Sequence, residues 1–543
     1  RISVLNALKL ELRVSLKVIM GIGLVLLTAL LGLVVYFFFH RRNKMQHWQK
    51  QGIPCEEPHL LLGTMSGAFT KVSSHEVFQR YYNEFRGKGP FVGFYFFHRP
   101  AAFIMEPFLV KQILIKEFNK FTDRGFFNNP EDDPLSGGLV QLDGPKWKVM
   151  RHKLTSTFTS GKIKFMFPTV VTVSHEFINV FGDMTAKSSI VEVKELLARF
   201  TTDVIGTCAF GIECSSLKDP EAEFRVMGRR ALSEMRHGPL GMAFLSSYPD
   251  LARRLHMKLT PDHIEKFFLR IVKETVTFRE ENGIRRNDFM DQLIDLKNNR
   301  LLKSETGESM SLTIEEVSAQ AYLFFTAGFE TSSTTMGFAL YELAQHADIQ
   351  QRMRDEVNKV LSENNGELTY EGLKNMIYVN QVIAGKFSKL KLSVSPYYLL
   401  FFVIETLRLY TVLPILNRQC LEDYVVPGYP KHVIKKGMPV IIPAGAMHRD
   451  EKLYPNPNVF NPDNFEPERV KNRDSVEWLP FGDGPRNCIG MRFGEMQARI
   501  GLAMLVKNFK FSVCEQTPIP MKYNKSSFLL NSESGIFLHV ERI

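Results

Sequence analysis

The longest uninterrupted apolar run of the chain lies near its start. Residues 18–39 contain no charged side chain, and a helix of about 20 apolar residues is long enough to cross the hydrocarbon core of a bilayer. The run ends in bulky aromatic residues and not in the small residues of a signal-peptide cleavage site. The pattern therefore predicts a transmembrane helix over residues 20–40 that stays attached as an anchor.

Basic residues follow this run directly. Arg41, Arg42 and Lys44 stand immediately after it, and such residues mark the cytoplasmic side of a membrane span. The rest of the chain is therefore predicted to lie in the cytoplasm. Residues 41–63 join this basic start to a stretch with two prolines, which is typical of a stiff linker. Residues 64–543 follow as one globular domain.

Helical periodicity dominates the globular part. Apolar residues recur at three- and four-residue spacing over 161–206, 261–282, 314–360 and 488–507. Patterns typical of strands are short, at 91–97, 439–442 and 527–541. No internal repeat is present. The sequence therefore predicts a mainly α fold with small β-sheets.

Composition narrows the class of protein. The 543 residues carry a formal charge of +10, but 58 acidic residues lie among the basic ones. This balance argues against nucleic-acid binding and fits an anionic membrane surface or an acidic partner protein. The six cysteines form no C-x-x-C pair, which argues against zinc and favours a reducing compartment. No dinucleotide-binding G-x-G-x-x-G motif and no P-loop is present.

The strongest chemical signal is the stretch FGDGPRNCIG at 481–490. Gly482, Gly484 and Pro485 predict a tight turn before Cys488, and an apolar helical pattern follows it. A cysteine at a helix N-terminus faces free backbone N–H groups and the positive end of the helix dipole, which stabilise a thiolate. Arg486 adds a positive charge two residues away. Cys488 is therefore predicted to be a metal ligand or a nucleophile.

The second chemical signal is a group of residues that depart from the apolar pattern of the helix predicted at 321–347. Gly328 lies in its interior, where glycine costs about 1 kcal/mol relative to alanine. Glu330 and Thr331 place an acid and a hydroxyl where a buried helix would favour neither. A threonine hydroxyl can donate to the carbonyl four residues earlier and loosen the helix locally. A buried structural helix explains most of this segment but not these residues.

A third signal is the stretch ETLR at 405–408. Glu405 and Arg408 lie three residues apart and so share one helix face. Taken alone the spacing is weak, because Glu466 and Arg469 show it too and most such pairs are solvated surface bridges.

Together these motifs resemble the cytochrome P450 family. The spacing F-x-x-G-x-R-x-C-x-G, here with Phe481, Arg486 and Cys488, is similar to the haem-binding loop of that family. The resemblance implies a cytochrome P450 fold, haem b as the cofactor and Cys488 as the axial thiolate on its iron. Phe481 and Arg486 would then help to bind the haem. The likeness extends over nearly the whole chain from about residue 45.

The same resemblance implies roles for the two helical motifs. Glu330 and Thr331 match the acid–alcohol pair of the family, which passes protons to dioxygen. Glu405 and Arg408 match a buried structural pair under the haem. Asn464 stands in P-D-N-F, where the family usually has an arginine, so a weaker network is expected around that pair.

Haem propionates need cations, and four residues resemble the family's propionate-binding positions. Trp147 and Arg151 form a W-x-x-x-R pair whose spacing directs both side chains at one propionate. Arg124 and Arg418 occupy positions similar to two further arginines of this kind. For these two arginines an ordinary surface position fits the sequence equally well.

Several longer stretches, among them IIPAGAMHRDEKLYPNP, look like insect microsomal enzymes of cytochrome P450 family 6. This implies a monooxygenase of the endoplasmic reticulum membrane that inserts one atom of O₂ into small lipophilic compounds, such as xenobiotics, insecticides, plant toxins, hormones or lipids. Electrons would come from NADPH through a cytochrome P450 reductase, with a microsomal b-type cytochrome as a further partner. Positions similar to the family's substrate pocket lie at 126–139, 324–330, 412–416 and 528–532. A basic surface for the reductase would comprise Lys146, Lys148, Arg151, Lys153 and Arg492.

Two alternatives share the fold. A haem-thiolate isomerase needs neither O₂ nor a reductase, but such enzymes tend to lack the acid–alcohol pair, so Glu330 and Thr331 argue against it. An inactive or non-catalytic haem-binding product is the other alternative, and it depends on residues 385–404.

Residues 385–404 interrupt an expected helix. Members of the resembled family run directly from Q-V-I-x into E-T-L-R, and removing these residues gives QVIAETLRLY. The segment contains Gly385, Pro396 and an uncharged run at 397–404, which needs burial in a filled core. Its codons can hold splice donor and acceptor sequences that keep the reading frame, so we predict a retained intron. If it is translated, we expect a loosely packed loop before Glu405 and impaired haem incorporation.

Residues 1–19 are also predicted not to be translated. The chain begins with arginine, and Met20 opens a run that resembles the usual start of family 6 proteins. Four basic residues before it would also place positive charge on the lumenal side of the anchor.

Overall fold

The computed structural model describes residues 2–60, 62–68, 70–298, 311–375, 398–471 and 473–543. Helices dominate it, which confirms the prediction of a mainly α fold. The α-helices are α1 Ile2–Met45, α2 His47–Gln51, α3 Ser74–Phe85, α4 Pro107–Lys111, α5 Gly144–Thr155, α6 Ser160–Lys187, α7 Val193–Ile205, α8 Glu223–Ser233, α9 Pro239–Ser247, α10 Pro249–Arg254, α11 Asp262–Asn282, α12 Phe289–Asn298, α13 Ile314–Gln345, α14 Ala347–Ser362, α15 Tyr370–Asn375, α16 Tyr398–Leu409, α17 Ala444–Met447, α18 Pro467–Val470 and α19 Met491–Asn508.

Short 3₁₀ and π turns join many of these helices. The π turns are Gln112–Lys116 and Gly206–Phe210. The 3₁₀ turns are Phe118–Lys120, Pro134–Gly137, Ser156–Phe158, Pro462–Phe465, Ser475–Glu477 and Gly484–Arg486.

The strands of the described residues form three small sheets. They are β1 Phe91–Phe96, β2 Arg99–Ile104, β3 Ile190–Glu192, β4 Leu416–Gln419, β5 Tyr424–Val425, β6 Val433–Ile434, β7 Pro439–Ile442, β8 Phe509–Ser512 and β9 Phe537–Arg542. The largest sheet has the order β1-β2-β7-β4 and is antiparallel except for the β2–β7 pair. The others are β3-β9-β8 and β5-β6, both antiparallel.

The helix α13 lies in the centre of the larger hydrophobic core. Thr313 and Glu316 form a capping box at its start, in which each side chain bonds the backbone N–H of the other residue, and such a box satisfies donors that a helix end leaves free. The helix packs against α7, α11 and α19, and most of its apolar side chains are buried. A second core fills the space between α3 and the largest sheet.

Two of the predicted helical stretches are divided in the structure. Residues 161–206 form α6 and α7 with β3 between them, and residues 314–360 form α13 and α14 with a break at His346. In both cases the apolar spacing continues across the break, which is why the pattern alone joined them.

The apolar run near the start forms part of α1, whose Ser15–Met45 portion is long and apolar enough to cross a membrane. Its large apolar side chains from Leu24 to Leu33 and from Val35 to Phe39 are exposed, as expected for a surface that contacts lipid and not protein. The predicted span at 20–40 falls inside this portion. Residues 2–19 continue the same helix toward the N-terminus.

The linker predicted at 41–63 needs a correction. Its first half is helical, as the end of α1 and as α2, and Trp48 on α2 is fully buried. The Trp48 indole donates to the backbone oxygen of Phe94 at 3.2 Å and packs directly on Gly93. The first half of the predicted linker is therefore packed against the largest sheet, because Trp48 buries a large apolar surface on β1.

We predicted a loosely packed loop before Glu405, and this prediction is wrong for the residues that the structure describes. Residues 398–404 belong to α16, and Phe402, Val403 and Ile404 are buried. These three apolar side chains lie on the buried face of α16. Residues 398–404 therefore extend the helix and do not bulge from it. Residues 385–397 lie outside the described part of the chain.

Candidate functional site

A cavity of about 320 Å³ lies between α13 and the loop that carries Cys488. It brings together residues that are up to 374 positions apart in the chain, and most predicted site residues line it. These are Arg124, Trp147, Arg151, Thr331, Arg418, Phe481, Arg486 and Cys488. Three predicted residues are not among its lining, namely Glu330, Glu405 and Arg408.

The cysteine loop is shaped by two glycines. Gly482 and Gly484 both have positive φ, and a Cβ on Gly484 would collide with the backbone oxygen of Leu114. Only glycine fits this position without strain. The Cys488 N–H donates to Phe481 O at 2.9 Å, which closes the loop on itself.

The sequence pattern indicated that Cys488 begins the following helix, and the structure shows that it does not. The helix α19 begins at Met491 with Gly490 as its N-cap. The Cys488 side chain is exposed to the cavity and lies below the protein surface. This burial raises the pKa of the Cys488 thiol, and the Gly490 N–H and the guanidinium groups of Arg151 and Arg124 act in the opposite direction. Stabilisation of the thiolate therefore needs a further positive charge at the sulfur, as a metal ion would provide.

Three guanidinium groups converge on one side of the cavity, and the one acid paired with them in the described part of the chain is Asp143, whose Oδ1 lies 3.3 Å from Arg486 Nη2. Burial lowers the pKa of Arg486 to about 9 and that of Arg124 to about 10. The pKa of Arg418 is also lowered by burial and by repulsion from the other two. Buried nitrogens of Arg486 and Arg418 have no partner among the described residues. Such a cluster fits an anionic ligand, and the two carboxylates of haem meet that requirement.

The predicted propionate residues are positioned by contacts with the cysteine loop. The Arg486 guanidinium lies over the Trp147 ring at 4.2 Å, and Arg151 donates to the Asn487 backbone and side-chain oxygens at 2.8 and 2.7 Å. Arg418 is buried and Arg124 is half-buried at the cavity. The surface alternative is therefore wrong for both of these arginines.

On α13 the acid and the alcohol point in different directions. The Thr331 hydroxyl faces the cavity and donates to the Ala327 oxygen at 2.7 Å, which is the backbone bond that the sequence indicated. The Glu330 carboxylate accepts from Lys194 Nζ at 2.8 Å and from Asn531 Nδ2 at 3.1 Å. Glu330 is therefore held by α7 and by the C-terminal segment, beside the cavity and not within it.

Gly328 has a packing role that the sequence did not reveal. A Cβ at this position would lie 2.6 Å from Cδ1 of Ile205 on α7. The glycine thus allows α7 and α13 to approach closely, and this approach brings Lys194 within reach of Glu330.

Glu405 and Arg408 form a fully buried pair, which excludes a solvated surface bridge. Arg408 Nε and Nη2 each donate to the carboxylate at 2.7 Å. The carboxylate also accepts from the Asn461 N–H at 2.9 Å and from Asn464 Nδ2 at 3.2 Å. Asn464 therefore joins this network with a neutral amide in place of the charge that an arginine would bring.

The predicted pocket stretches contribute unequally to the cavity. Residues from 126–139, 324–330 and 412–416 line it, and none from 528–532 does. Two further residues were missed by the sequence analysis, namely Lys194, which bonds Glu330, and Gln320, which lines the cavity. Gln320 stands just before the apolar stretch at 321–347, but glutamine is usually exposed, so its position in the sequence gives no signal of burial.

The comparisons with known proteins show which family the chain resembles. The family model described as "Cytochrome P450" matches residues 53–384 and 396–539. The chain is 68% identical over 524 residues to "Probable cytochrome P450 6a21" and 67% identical over 524 residues to "Cytochrome P450 6a9", both of Drosophila melanogaster. Each match covers 96% of this chain and 100% of the relative. It is 45% identical over 527 residues to "Cytochrome P450 6A1" of Musca domestica, with 96% and 99% covered.

Proposed function

The chain belongs to the cytochrome P450 family of monooxygenases, and on that premise we propose that it oxidises small lipophilic compounds at a membrane, with electrons that originate from NADPH. One observation carries the proposal: Cys488, the arginines Arg124, Arg418 and Arg486, and Thr331 line one cavity. Haem with a thiolate ligand supplies the activation of dioxygen and the transfer of one oxygen atom to substrate.

The residues present fit haem on two sides. Cys488 would hold the iron, while Arg124, Arg418 and Arg486 would neutralise the propionates. Binding of two carboxylates there removes the repulsion among three buried cations, so the ligand stabilises the fold as well as the site. Phe481, which lines the cavity beside Cys488, would cover one side of the sulfur.

Thr331 is the hydroxyl placed to handle a proton inside the cavity. Because its own proton is donated to the Ala327 oxygen, its lone pairs face the cavity and can accept from a water or a bound ligand. Glu330 would supply protons from the solvent side, and to do so its carboxylate must leave Lys194. In this proposal the two residues act in sequence across the helix.

The apolar portion of α1 supports an anchored protein, and the basic residues after it support a cytoplasmic catalytic domain at the endoplasmic reticulum. A reductase would dock on the basic surface. Of the five residues predicted for that surface, Lys153 is buried and Arg151 is turned toward Asn487. The exposed candidates are therefore Lys146, Lys148 and Arg492.

The proposal is tested with the full chain in membranes that contain a cytochrome P450 reductase. The reduced, carbon-monoxide-bound protein should show the red-shifted Soret band of thiolate-ligated haem, and Cys488→Ser should abolish it. With a panel of lipophilic compounds, NADPH should be consumed with formation of hydroxylated products. Thr331→Ala should release more peroxide per NADPH, because it removes the hydroxyl from the cavity. A Cys488→Ser protein with an unchanged band, or equal peroxide from Thr331→Ala, contradicts the assigned roles.

A further inference from the structure

Gln320 lines the cavity, yet its polar atoms are directed away from it. The residue is buried on α13, three turns before Thr331. Its Nε2 donates to the Gly137 oxygen at 3.0 Å, and its Oε1 accepts from the Leu139 N–H at 3.0 Å. Both ends of the amide are thus used by one short loop, and only the apolar stem of the side chain remains for the cavity.

The loop held by Gln320 forms a wall of the cavity. Leu139 and Val140 on this loop line the cavity directly. The loop backbone lies close against α13, since a Cβ on Gly138 would be 3.2 Å from the Leu323 side chain. The position of Leu139 relative to α13 therefore depends on the two hydrogen bonds of Gln320.

The same loop is tied to the body at a second point. One carboxylate oxygen of Asp133 accepts from the Leu259 and Thr260 N–H groups, both at 2.9 Å. This second attachment holds the far end of the loop away from the cavity.

On the other side of Leu139, Arg124 Nη1 donates to the Val140 oxygen at 3.2 Å. Removal of the Gln320 amide would therefore loosen Leu139 while the loop stays attached, which is a local change and not unfolding.

We propose that Gln320 is a specificity-determining positioning residue, whose amide sets the distance between the Leu139 wall and α13 and so selects which carbon of a lipophilic substrate is oxidised. The inference rests on the proposed function and deepens it. The Gly137 oxygen and the Leu139 N–H are buried and both need a hydrogen-bond partner. Because the Gln320 amide is that partner, it specifies one position of Leu139 relative to α13. A wall fixed in this way favours one orientation of the substrate over others, because little freedom of the wall is lost on binding.

The test compares two methionine variants in the full-length haem protein. Gln320→Met keeps the length and the apolar stem but loses both hydrogen bonds. The control is Gln350→Met, because Gln350 on α14 is also buried and bonds the N–H and the oxygen of Phe511, both at 2.9 Å, far from the cavity lining. The substrate is any compound of the lipophilic panel that the wild-type protein oxidises at two positions.

The expected result is a change of at least fivefold in the ratio of the two products for Gln320→Met, with substrate affinity about tenfold weaker in a spectral titration. The Gln350→Met protein should keep the wild-type ratio. Hydrogen exchange of the peptide that contains Leu139 should be faster in Gln320→Met alone, and this readout needs no turnover. If Gln320→Met fails to fold, Gln320→Asn is used, since its amide is one methylene too short to reach both groups.

An unchanged product ratio together with unchanged exchange at Leu139 overturns the inference, and so does an equal shift of the ratio in Gln350→Met. Failure of the proposed function would look different, because the wild-type protein itself would then form no oxidised product. The carbon-monoxide band of each variant confirms that its haem site is intact before the ratios are compared.

Discussion

Arg408 should be indispensable for folding, and the structure shows how large its effect is. The side chain is fully buried and donates to Glu405 through two nitrogens. It also donates to three backbone oxygens, those of His448 at 2.8 Å, Pro457 at 2.7 Å and Val459 at 3.2 Å. It thus joins α16 to the segments that precede the cysteine loop.

The perturbation is Arg408→Met, which fills similar space without donors. Breaking a buried ion pair costs about 3–5 kcal/mol, because one charge stays buried without its partner. Each carbonyl that loses its donor adds about 1 kcal/mol or more. The total is roughly 6 kcal/mol or more, which is comparable with the whole free energy of unfolding of a typical domain, about 5–15 kcal/mol. We therefore expect almost no folded, haem-containing protein.

Asn464→Ala provides the graded comparison within the same network. It removes one hydrogen bond of 3.2 Å to Glu405, while the carboxylate keeps its three other donors. The expected loss is roughly 1–2 kcal/mol, so this variant should fold and bind haem. The assay is the Soret absorbance per mole of expressed protein, followed by urea unfolding of whatever folds. An Arg408→Met protein within 1 kcal/mol of the wild type in the same urea assay, or one more stable than Asn464→Ala, would refute the reasoning.

Three further predictions follow from other parts of the chain. Lys194→Met should lower peroxide release per NADPH, because the Glu330 carboxylate no longer has to leave a cation before it carries protons; coupling equal to that of the wild type would show that the contact is only structural. His75 and His448 each have a pKa of about 3 in the folded chain, lowered mainly by burial, against about 6.5 when unfolded. Stability should therefore be complete above pH 6.5 and fall on acidification toward pH 3 by about 1.4 kcal/mol per pH unit for each histidine, and His75→Phe should lower the slope measured by urea unfolding by one proton. Sequencing of transcripts should show that mature messages lack the codons for 385–404, and messages that all retain them, with normal haem binding by the product, would contradict the intron.

The parts of the site that are local in sequence were predictable. The cysteine loop and the bond from the Thr331 hydroxyl to the Ala327 oxygen depend on turn-forming glycines and on residue spacing, which the sequence displays directly, although α13 continues through Thr331 without a break. The buried pair at Glu405 needed the family resemblance, because the same spacing also occurs in surface pairs. The long apolar helix near the start was predictable because its length and composition are read directly from the sequence.

Contacts between distant segments were not predictable. Lys194 and Glu330 are 136 residues apart, and Gln320 and Leu139 are 181 residues apart. Lysine and glutamine are usually exposed, so neither residue carries a signal of burial by itself. These polar groups find their partners only because α7 and the loop at 137–140 pack on α13.

The start of α16 shows why an apolar pattern could not by itself decide between an inserted segment and a native helix. The family match omits residues 385–395, which lie within the predicted insertion. In a chain without residues 385–404, Val382, Ile383 and Ala384 would directly precede Glu405, in the positions that Phe402, Val403 and Ile404 occupy here. Both sets are apolar, so both offer a buried face to the same core, and burial of 402–404 is what either origin would produce. Sequencing of the mature messenger RNA, and not the packing of the helix, must therefore decide whether residues 385–404 are an inserted segment or part of the native helix.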